Sequence, residues 1–93
     1  MNSAEARAIL LAESAKYRAK SYKDLVYLLE HQDYYEVEGL SGARYQLEIQ
    51  AFWDNKPNDV LRVRAGIDDG GIRAYYPRVE DFLITPDGGF VGE

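Results

Sequence analysis

RYQLEIQAFWDNKPNDVLRVRAGID, residues 44–68, is the stretch of sequence that decides the fold. Apolar and polar residues alternate on both sides of a central polar segment, residues 54–59. The alternating apolar positions are Tyr45, Leu47, Ile49, Ala51 and Trp53 before that segment, and Leu61, Val63, Ala65 and Ile67 after it. A period of two residues marks strands with one face on a core and the other toward water. The stretch therefore predicts an antiparallel hairpin, with strands over about residues 44–53 and 60–68.

The register of this hairpin has to keep the apolar residues on one face. A slip of one residue would exchange the two faces, so the numbers of paired residues must sum to an even value. A sum of 112 places Glu48 opposite Arg64 and Gln50 opposite Arg62, and such cross-strand pairs contribute about 0.2–1 kcal/mol each. A sum of 114 places Gln50 opposite Arg64 but leaves Glu48 facing Gly66. We therefore predict the first register, with the charges forming a solvated sheet face rather than a binding strip.

A helix rich in alanine, the best helix former, is predicted over about residues 4–19. At about 100° per residue, one stripe of this helix holds small residues that allow close approach to a sheet or another helix: Ala4, Ala8, Leu11, Ala12, Ala15 and Ala19. A weaker stripe holds Ala6, Leu10 and Tyr17. Two stripes indicate two neighbours. Either both contacts lie within the monomer, or Leu10 and Tyr17 form a dimer contact.

A second helix is predicted over about residues 22–30. Ser21 followed by Asp24 is a capping-box pattern with the shorter acid. Apolar residues then recur at i, i+3, i+4 and i+7, namely Tyr22, Leu25, Val26 and Leu29. This is the strongest helical periodicity in the chain.

Short strands complete the predicted architecture, over about residues 34–38, 72–76, and 81–85 with 90–92. Gly39-Leu40-Ser41-Gly42 and Pro86-Asp87-Gly88-Gly89 supply the residues that tight turns require, and we expect Phe82, Ile84 and Phe90 to point inward. Residues 1–93 are thus predicted to form a single α+β domain. Two N-terminal helices pack on one face of an antiparallel β-meander of about four to five strands.

Composition excludes several classes of protein. A net charge of −5 disfavours nucleic acid, whose phosphates demand cationic contacts. No apolar run approaches the roughly 20 residues needed to span a bilayer, and the N-terminus lacks a secretory signal. The absence of cysteine rules out disulfides and thiolate chemistry. We therefore expect no nucleic-acid partner, no membrane partner and no cofactor, with the cytoplasm as the default location.

Candidate catalytic groups are present as residue types without a motif that selects a reaction. Histidine titrates nearest neutrality, and the sole histidine stands two residues before an aspartate. The candidate acid–base groups are His31, Asp33, Asp69 and Asp81, with Arg73 or Arg78 as an anion clamp, in a pocket between the helices and the sheet. Asp68-Asp69-Gly70-Gly71 lacks the spacing of a calcium loop, so we predict a turn there and no metal.

The run from Val37 to the C-terminus resembles a family of small bacterial proteins of uncharacterised function. The resemblance is carried by Val37-Glu38-Gly39 with Ser41-Gly42, Ile67-Asp68-Asp69-Gly70-Gly71, Asp81-Phe82, Pro86-Asp87-Gly88 and the final Gly92-Glu93. It covers about the last 60 residues. The resemblance implies a bacterial, cytoplasmic protein and carries no activity with it.

Two functional hypotheses follow. The first is a non-enzymatic binding or protein-interaction module, because the eight tyrosines include several outside the main core stripes and exposed tyrosines are enriched at interfaces. The candidate interface residues are Tyr17, Tyr27, Tyr34, Tyr75 and Tyr76; the alternative is that they cover sheet edges. The partner would be another protein, such as a basic one, or a second copy of the chain. The second hypothesis is a small enzyme or ligand-binding domain that uses the pocket residues above. We favour the module.

Overall fold

The computed structural model describes residues 3–69 and 78–93. Within these ranges two helical segments precede four strands. They are α1 (Ser3–Arg18), α2 (Tyr22–Val26) with a 3-10 turn (Tyr27–Leu29), β1 (Asp33–Glu38), β2 (Arg44–Trp53), β3 (Leu61–Asp68) and β4 (Arg78–Ile84). The strands form an antiparallel sheet in the order β1-β2-β3-β4, and α1 packs on β3 and β4. The predicted α+β fold is confirmed.

The inner face of the sheet, the face toward the helices, carries the core. All of the alternating apolar positions of the hairpin except Trp53 are buried: Tyr45, Leu47, Ile49, Ala51, Leu61, Val63, Ala65 and Ile67. Phe82 and Ile84 on β4 are also buried, and Phe90 packs edge-to-face on Phe82 with ring centroids 5.6 Å apart. The two-faced hairpin predicted from the alternation is therefore confirmed.

Of the two stripes of α1 that were predicted to contact neighbours, only the weaker one packs on the core. The small-residue stripe lies in solvent: Ala4, Ala8, Leu11, Ala12, Ala15 and Ala19 are all exposed. The weaker stripe is buried, since Ala6, Leu10 and Tyr17 belong to the core. Leucine and tyrosine remove far more apolar area from water than alanine does, so the larger side chains decide which face packs. Of the two alternatives for Leu10 and Tyr17, the structure shows the contact within the monomer, because both side chains are buried in its core.

The register of the hairpin also differs from the predicted one. Gln50 lies opposite Arg64 and Glu48 lies opposite Gly66, so paired residue numbers sum to 114 rather than 112. The inner-face pairing keeps its parity, because both sums are even. The change is confined to which polar residues face one another on the outer face, the face that points away from the helices.

A third strand explains why the predicted register is wrong. The comparison of the two sums weighed β2 against β3 alone, whereas Arg62 finds its carboxylates elsewhere. Its guanidinium donates to Asp81 on β4 and to Asp54 beyond the end of β2, each at 2.9 Å. The amide of Asp54 donates to the carbonyl of Val60 at 3.0 Å, which holds the turn in the observed register.

Two of the predicted turns have one and the same geometry. In residues 39–43 and 85–89, the first amide donates to the fifth carbonyl at 2.8 Å, and the fourth amide donates to the first carbonyl at 2.9 Å. The fourth residue is Gly42 in one turn and Gly88 in the other, with φ of +90° and +92°. Glycine reaches this region without strain. Both turn predictions are confirmed.

Several element boundaries are shifted. Ser21 accepts a hydrogen bond from the Asp24 amide at 3.1 Å, which confirms the N-cap, but α2 ends at Val26 and continues as the 3-10 turn. Strand β4 begins at Arg78, three residues before the predicted start. Beyond it, Phe90 forms a single bridge with Ile84 in place of a strand over 90–92. The predicted strand 72–76 lies outside the described residues.

Candidate binding groove on the outer face of the sheet

A shallow groove of about 240 Å³ lies on the outer face of the sheet. Its lining comes from all four strands: Tyr34, Gln46, Glu48, Gln50, Arg64, Gly66, Asp68 and Val79. The strand register explains its position. Tyr34, Glu48, Gly66 and Val79 stand in one row across β1, β2, β3 and β4. Because glycine has no side chain, this row has a gap near its centre.

Gly66 has neither a backbone nor a packing requirement for glycine. Its φ lies outside the positive range that glycine alone adopts easily. A Cβ at this position would lie 3.7 Å from Val79 Cγ1 and 3.9 Å from the Arg78 carbonyl oxygen, which are ordinary contact distances. Glycine inside a strand often marks a place where another group approaches the backbone closely. Here the missing side chain of Gly66 leaves the space that forms the floor of the groove.

Arg64 borders the groove and differs sharply from Arg62 on the same strand. Arg62 donates to two carboxylates, and the hydrogen bonds that it donates to Asp54, and then to Asp81, raise its pKa. The guanidinium of Arg64 instead lies over the Phe52 ring, 5.5 Å from its centroid, in a cation–π contact. Its Nε is buried and has no hydrogen-bond partner in the described part of the chain. Such an orphaned donor costs free energy until a partner supplies an acceptor.

Glu48 is the acid at the centre of the groove. It accepts a hydrogen bond from the Gln50 amide at 2.8 Å, whereas the neighbouring Glu36 holds both Arg44 and Gln46 at 3.0 Å. Among residues 3–69 and 78–93, neither Glu48 nor Arg64 takes part in an ion pair. The groove therefore presents a cation and an anion that are available to a partner.

The residues predicted to share a pocket between the helices and the sheet are dispersed. Asp33 lies on β1 on the inner face, opposite Ile49, while Asp81 lies on β4 on the outer face, opposite Arg64. Strands β1 and β4 are three spacings apart in the sheet, about 14 Å at about 4.8 Å per spacing. The imidazole of His31 is exposed and stacks on Tyr27, at 4.2 Å between centroids.

The other predicted pocket residues do not join them. Arg78 begins β4 opposite Ile67, Asp69 directly follows β3, and Arg73 lies outside the described residues. A second concavity lies beside the 3-10 turn and is lined by Lys23, Val26, Tyr27, Leu29 and Glu30. Neither it nor the groove is lined by any of the predicted pocket residues that the structure describes.

The five candidate interface tyrosines differ in exposure and in whether the structure describes them. Tyr17 is 6% exposed, so its predicted role at an interface is wrong. Tyr27 and Tyr34 are 64% and 63% exposed, and Tyr34 lines the groove. Tyr75 and Tyr76 lie outside the described residues. Of the candidate tyrosines within residues 3–69, Tyr34 is the one that lines the groove.

Glu5 joins α1 to the hairpin formed by β1 and β2. Its carboxylate accepts hydrogen bonds from the Ser41 hydroxyl at 2.6 Å, the Tyr45 hydroxyl at 2.7 Å and the Ser41 amide at 2.9 Å. The bonds from Ser41, then from Tyr45, lower the pKa of Glu5. The same contact, together with burial, raises the pKa of Tyr45 to about 12. This cluster fastens the helix to the sheet.

A second acid–tyrosine cluster joins α1 to β1. Tyr35 donates to Glu13 at 2.8 Å, and Tyr17 donates to Asp33 at 2.5 Å. Burial, followed by the bond to Glu13, raises the pKa of Tyr35 to about 12, and burial with the bond to Asp33 raises the pKa of Tyr17. Both phenols therefore stay protonated at neutral pH. They act as hydrogen-bond donors rather than as nucleophiles or bases.

Sequence reasoning missed the groove although one signal pointed to it. Gly66 interrupts an alternating strand at a position where the opposite residue is long and charged. A glycine in a strand interior indicates a bulge or a close approach of another group. The signal depends on the observed register, which places Glu48 beside Gly66; in the predicted register Glu48 faces Arg64 instead.

Comparisons with protein-family models, curated proteins and solved structures find no match. The resemblance to small bacterial proteins and the cytoplasmic location therefore stay predictions. In the described ranges, no group of three or more His, Cys, Asp or Glu side chains could hold a metal ion. None of the helices described is long and apolar enough to cross a bilayer.

Proposed function

We propose that this protein is a non-enzymatic interaction module that binds a protein partner on the outer face of its sheet. The observation that carries the proposal is Arg64, which borders the gap left by Gly66 and whose buried Nε has no hydrogen-bond partner among the residues that the structure describes. A guanidinium resting on an aromatic ring suits recognition of an acceptor or carboxylate, because its fork is held in place before binding.

The apolar groups around the groove support the same proposal. Tyr34 and Val79 stand at its two ends and are 63% and 56% exposed, and Phe52 beside Arg64 is 40% exposed. Interfaces are enriched in aromatic residues and arginine relative to the remaining surface. An open, shallow face of this kind suits a macromolecular partner better than an enclosed small molecule.

The alternative, a small enzyme with a site between helices and sheet, has weaker support. Its candidate residues lie on opposite faces and opposite edges of the described sheet. The space between α1 and the sheet contains core side chains such as Leu10, Leu47 and Ile67. The phenols of Tyr17 and Tyr35, which are hydrogen-bonded to Asp33 and Glu13, have raised pKa values, which makes them poor bases or nucleophiles at neutral pH.

Site-directed photo-crosslinking tests the proposal. A benzophenone amino acid is placed at Val79, on the groove, or at Ala15, which is exposed on α1, and the protein is irradiated in an extract of the producing cells. We expect protein adducts from Val79 and few from Ala15, because the partner covers the outer face. Equal yields from the two positions, or adducts from Ala15 alone, would refute the proposed face.

A further inference from the structure

We propose that the partner on this face is a second copy of the chain, with two sheets packed outer face to outer face. The proposal rests on the outer face being the binding surface, as argued above. It assigns the occupant from three properties of that face: its two available charges, the shape of its central row, and the area it can bury.

The charges of the groove are complementary to themselves. Arg64 and Glu48 lie on adjacent strands, two residues apart along the strand direction, and neither has an ion-pair partner in the described chain. They do not pair with each other, because Glu48 binds Gln50 and the guanidinium of Arg64 leans toward Phe52. A twofold interface places Arg64 diagonally across from Glu48 of the partner subunit, one row of outward residues away, and repeats the same contact with the roles of the copies exchanged. One contact then forms two ion pairs.

The shape of the central row suits the same symmetry. A twofold axis parallel to the strands, midway between β2 and β3, lays β2 over β3 of the second copy. Glu48 then stands over Gly66 of the partner subunit, and Tyr34 stands over the partner subunit's Val79. The gap at Gly66 admits the longer side chain, while the tyrosine covers an exposed valine. Sheets stacked in this way pack about 10 Å apart.

The available area makes this a weak dimer. The described strands carry fifteen outward residues, three on β1, five on β2, four on β3 and three on β4. At about 4.8 Å between strands and about 6.8 Å between alternate residues of a strand, they cover about 500 Å² per copy. The total of about 1,000 Å² is at the lower limit for a specific interface. Each copy also carries a net charge of −5, so the copies repel at long range. We therefore expect association at micromolar concentrations and above, and a monomer on dilution.

Sedimentation velocity with charge-reversed variants tests this inference. Wild type, Arg64→Glu and Glu48→Arg are each run from about 5 to about 500 µM, a range that brackets a weak dimer, and the two variants are also mixed in equal amounts. Wild type is expected to shift from monomer to dimer. Each variant alone should dimerise at least about tenfold more weakly, because like charges then meet.

The mixture is the decisive sample. One variant carries acids at both positions and the other carries bases at both, so a heterodimer regains two opposite-charge contacts. It should form at least as readily as the wild-type dimer. Lys56→Glu is the control, because it makes the same charge change at an exposed turn residue and should dimerise like wild type.

A variant without a charge change guards against misfolding as an explanation. Gly66→Val fills the gap and should also weaken dimerisation by about tenfold, with circular dichroism confirming that the fold is kept. Strictly monomeric wild type at about 500 µM would overturn the inference, as would charge-reversed variants that dimerise like wild type. If wild type is monomeric while Val79 still crosslinks to another protein, the inference fails and the proposed function survives. If Val79 yields no adducts at all, the proposed function fails as well.

Discussion

The two faces of one sheet follow different rules in this protein. On the inner face the apolar side chains of β2 and β3 are almost completely buried, and they are held against α1 by packing and by two acid–tyrosine clusters. On the outer face the same strands carry ion pairs, amides and a gap at Gly66. Under the proposed function, alternate residues of one strand serve stability and recognition separately. Changes on one face are therefore expected to leave the other intact.

The largest expected effect is the difference in unfolding free energy lost by a substitution on the inner face and by one on the outer face. Ile49 and Gln50 are neighbours on β2, one fully buried in the core and the other on the groove. Ile49→Ala should lower the free energy of unfolding by about 2–5 kcal/mol, because it leaves a cavity in packed core. Gln50→Ala should change it by less than about 0.5 kcal/mol. Urea denaturation followed by tryptophan fluorescence measures both, and similar losses would break the division.

Substitutions of two glycines are expected to change the unfolding free energy by an intermediate amount, in opposite directions at the turn and on the outer face. Gly88 has φ of +92°, so Gly88→Ala should cost about 1–2 kcal/mol of unfolding free energy. Gly66 is under no such constraint and has room for a Cβ. Gly66→Ala should therefore raise the unfolding free energy by about 0.5–1 kcal/mol, since glycine weakens strand interiors. Thermal unfolding of the two variants decides it. A loss at Gly66 would show that the gap is structural rather than a feature of the surface.

The smallest expected effect is a change in the stability of the protein as the pH is lowered. The hydrogen bonds from Ser41 and Tyr45 place the pKa of Glu5 below its ordinary value. A group with a lowered pKa in the folded state contributes stability above its unfolded pKa, and that contribution is lost as the pH falls through the folded pKa. Glu5→Gln should therefore be less stable than wild type at neutral pH, with the difference shrinking in acid. Denaturation curves from pH 7 to pH 2 measure it.

Glu38→Gln is the matched control for the acid experiment. Glu38 is an exposed acid at the end of β1, and the substitution leaves the bonds of Ser41 and Tyr45 in place. A difference between wild type and Glu5→Gln that stays constant across the pH range would contradict the assigned role of the Glu5 carboxylate.

Local patterns in the sequence predicted most of the fold but little of the site. The alternation in β2 and β3 predicted the buried face because every second residue shares a side. The glycines at 42 and 88 predicted their turns because few other residues adopt positive φ easily. The buried face of α1 could not be chosen from the sequence, because the helix has two stripes that could each pack on a neighbour. Which face packs depends on the sheet that it meets.

The groove was beyond prediction for a related reason. Its lining comes from four strands, and its two available charges are defined by what Arg62 and Glu36 bind elsewhere. A pairwise comparison of β2 with β3 could not include the carboxylate that β4 offers to Arg62. The sequence shows a glycine inside a predicted strand at position 66, but it does not show which residues of β2 and β4 lie beside that glycine.

By itself, the order of residues determined the two-faced strands, the tight turns and the helical cap of this protein, because each depends on residues a few positions apart. Only the tertiary structure decided the register of β2 on β3, the buried face of α1 and the position of the groove. These features depend on competition among distant side chains for the same space and the same charges. Such a competition is settled when all the elements are packed together.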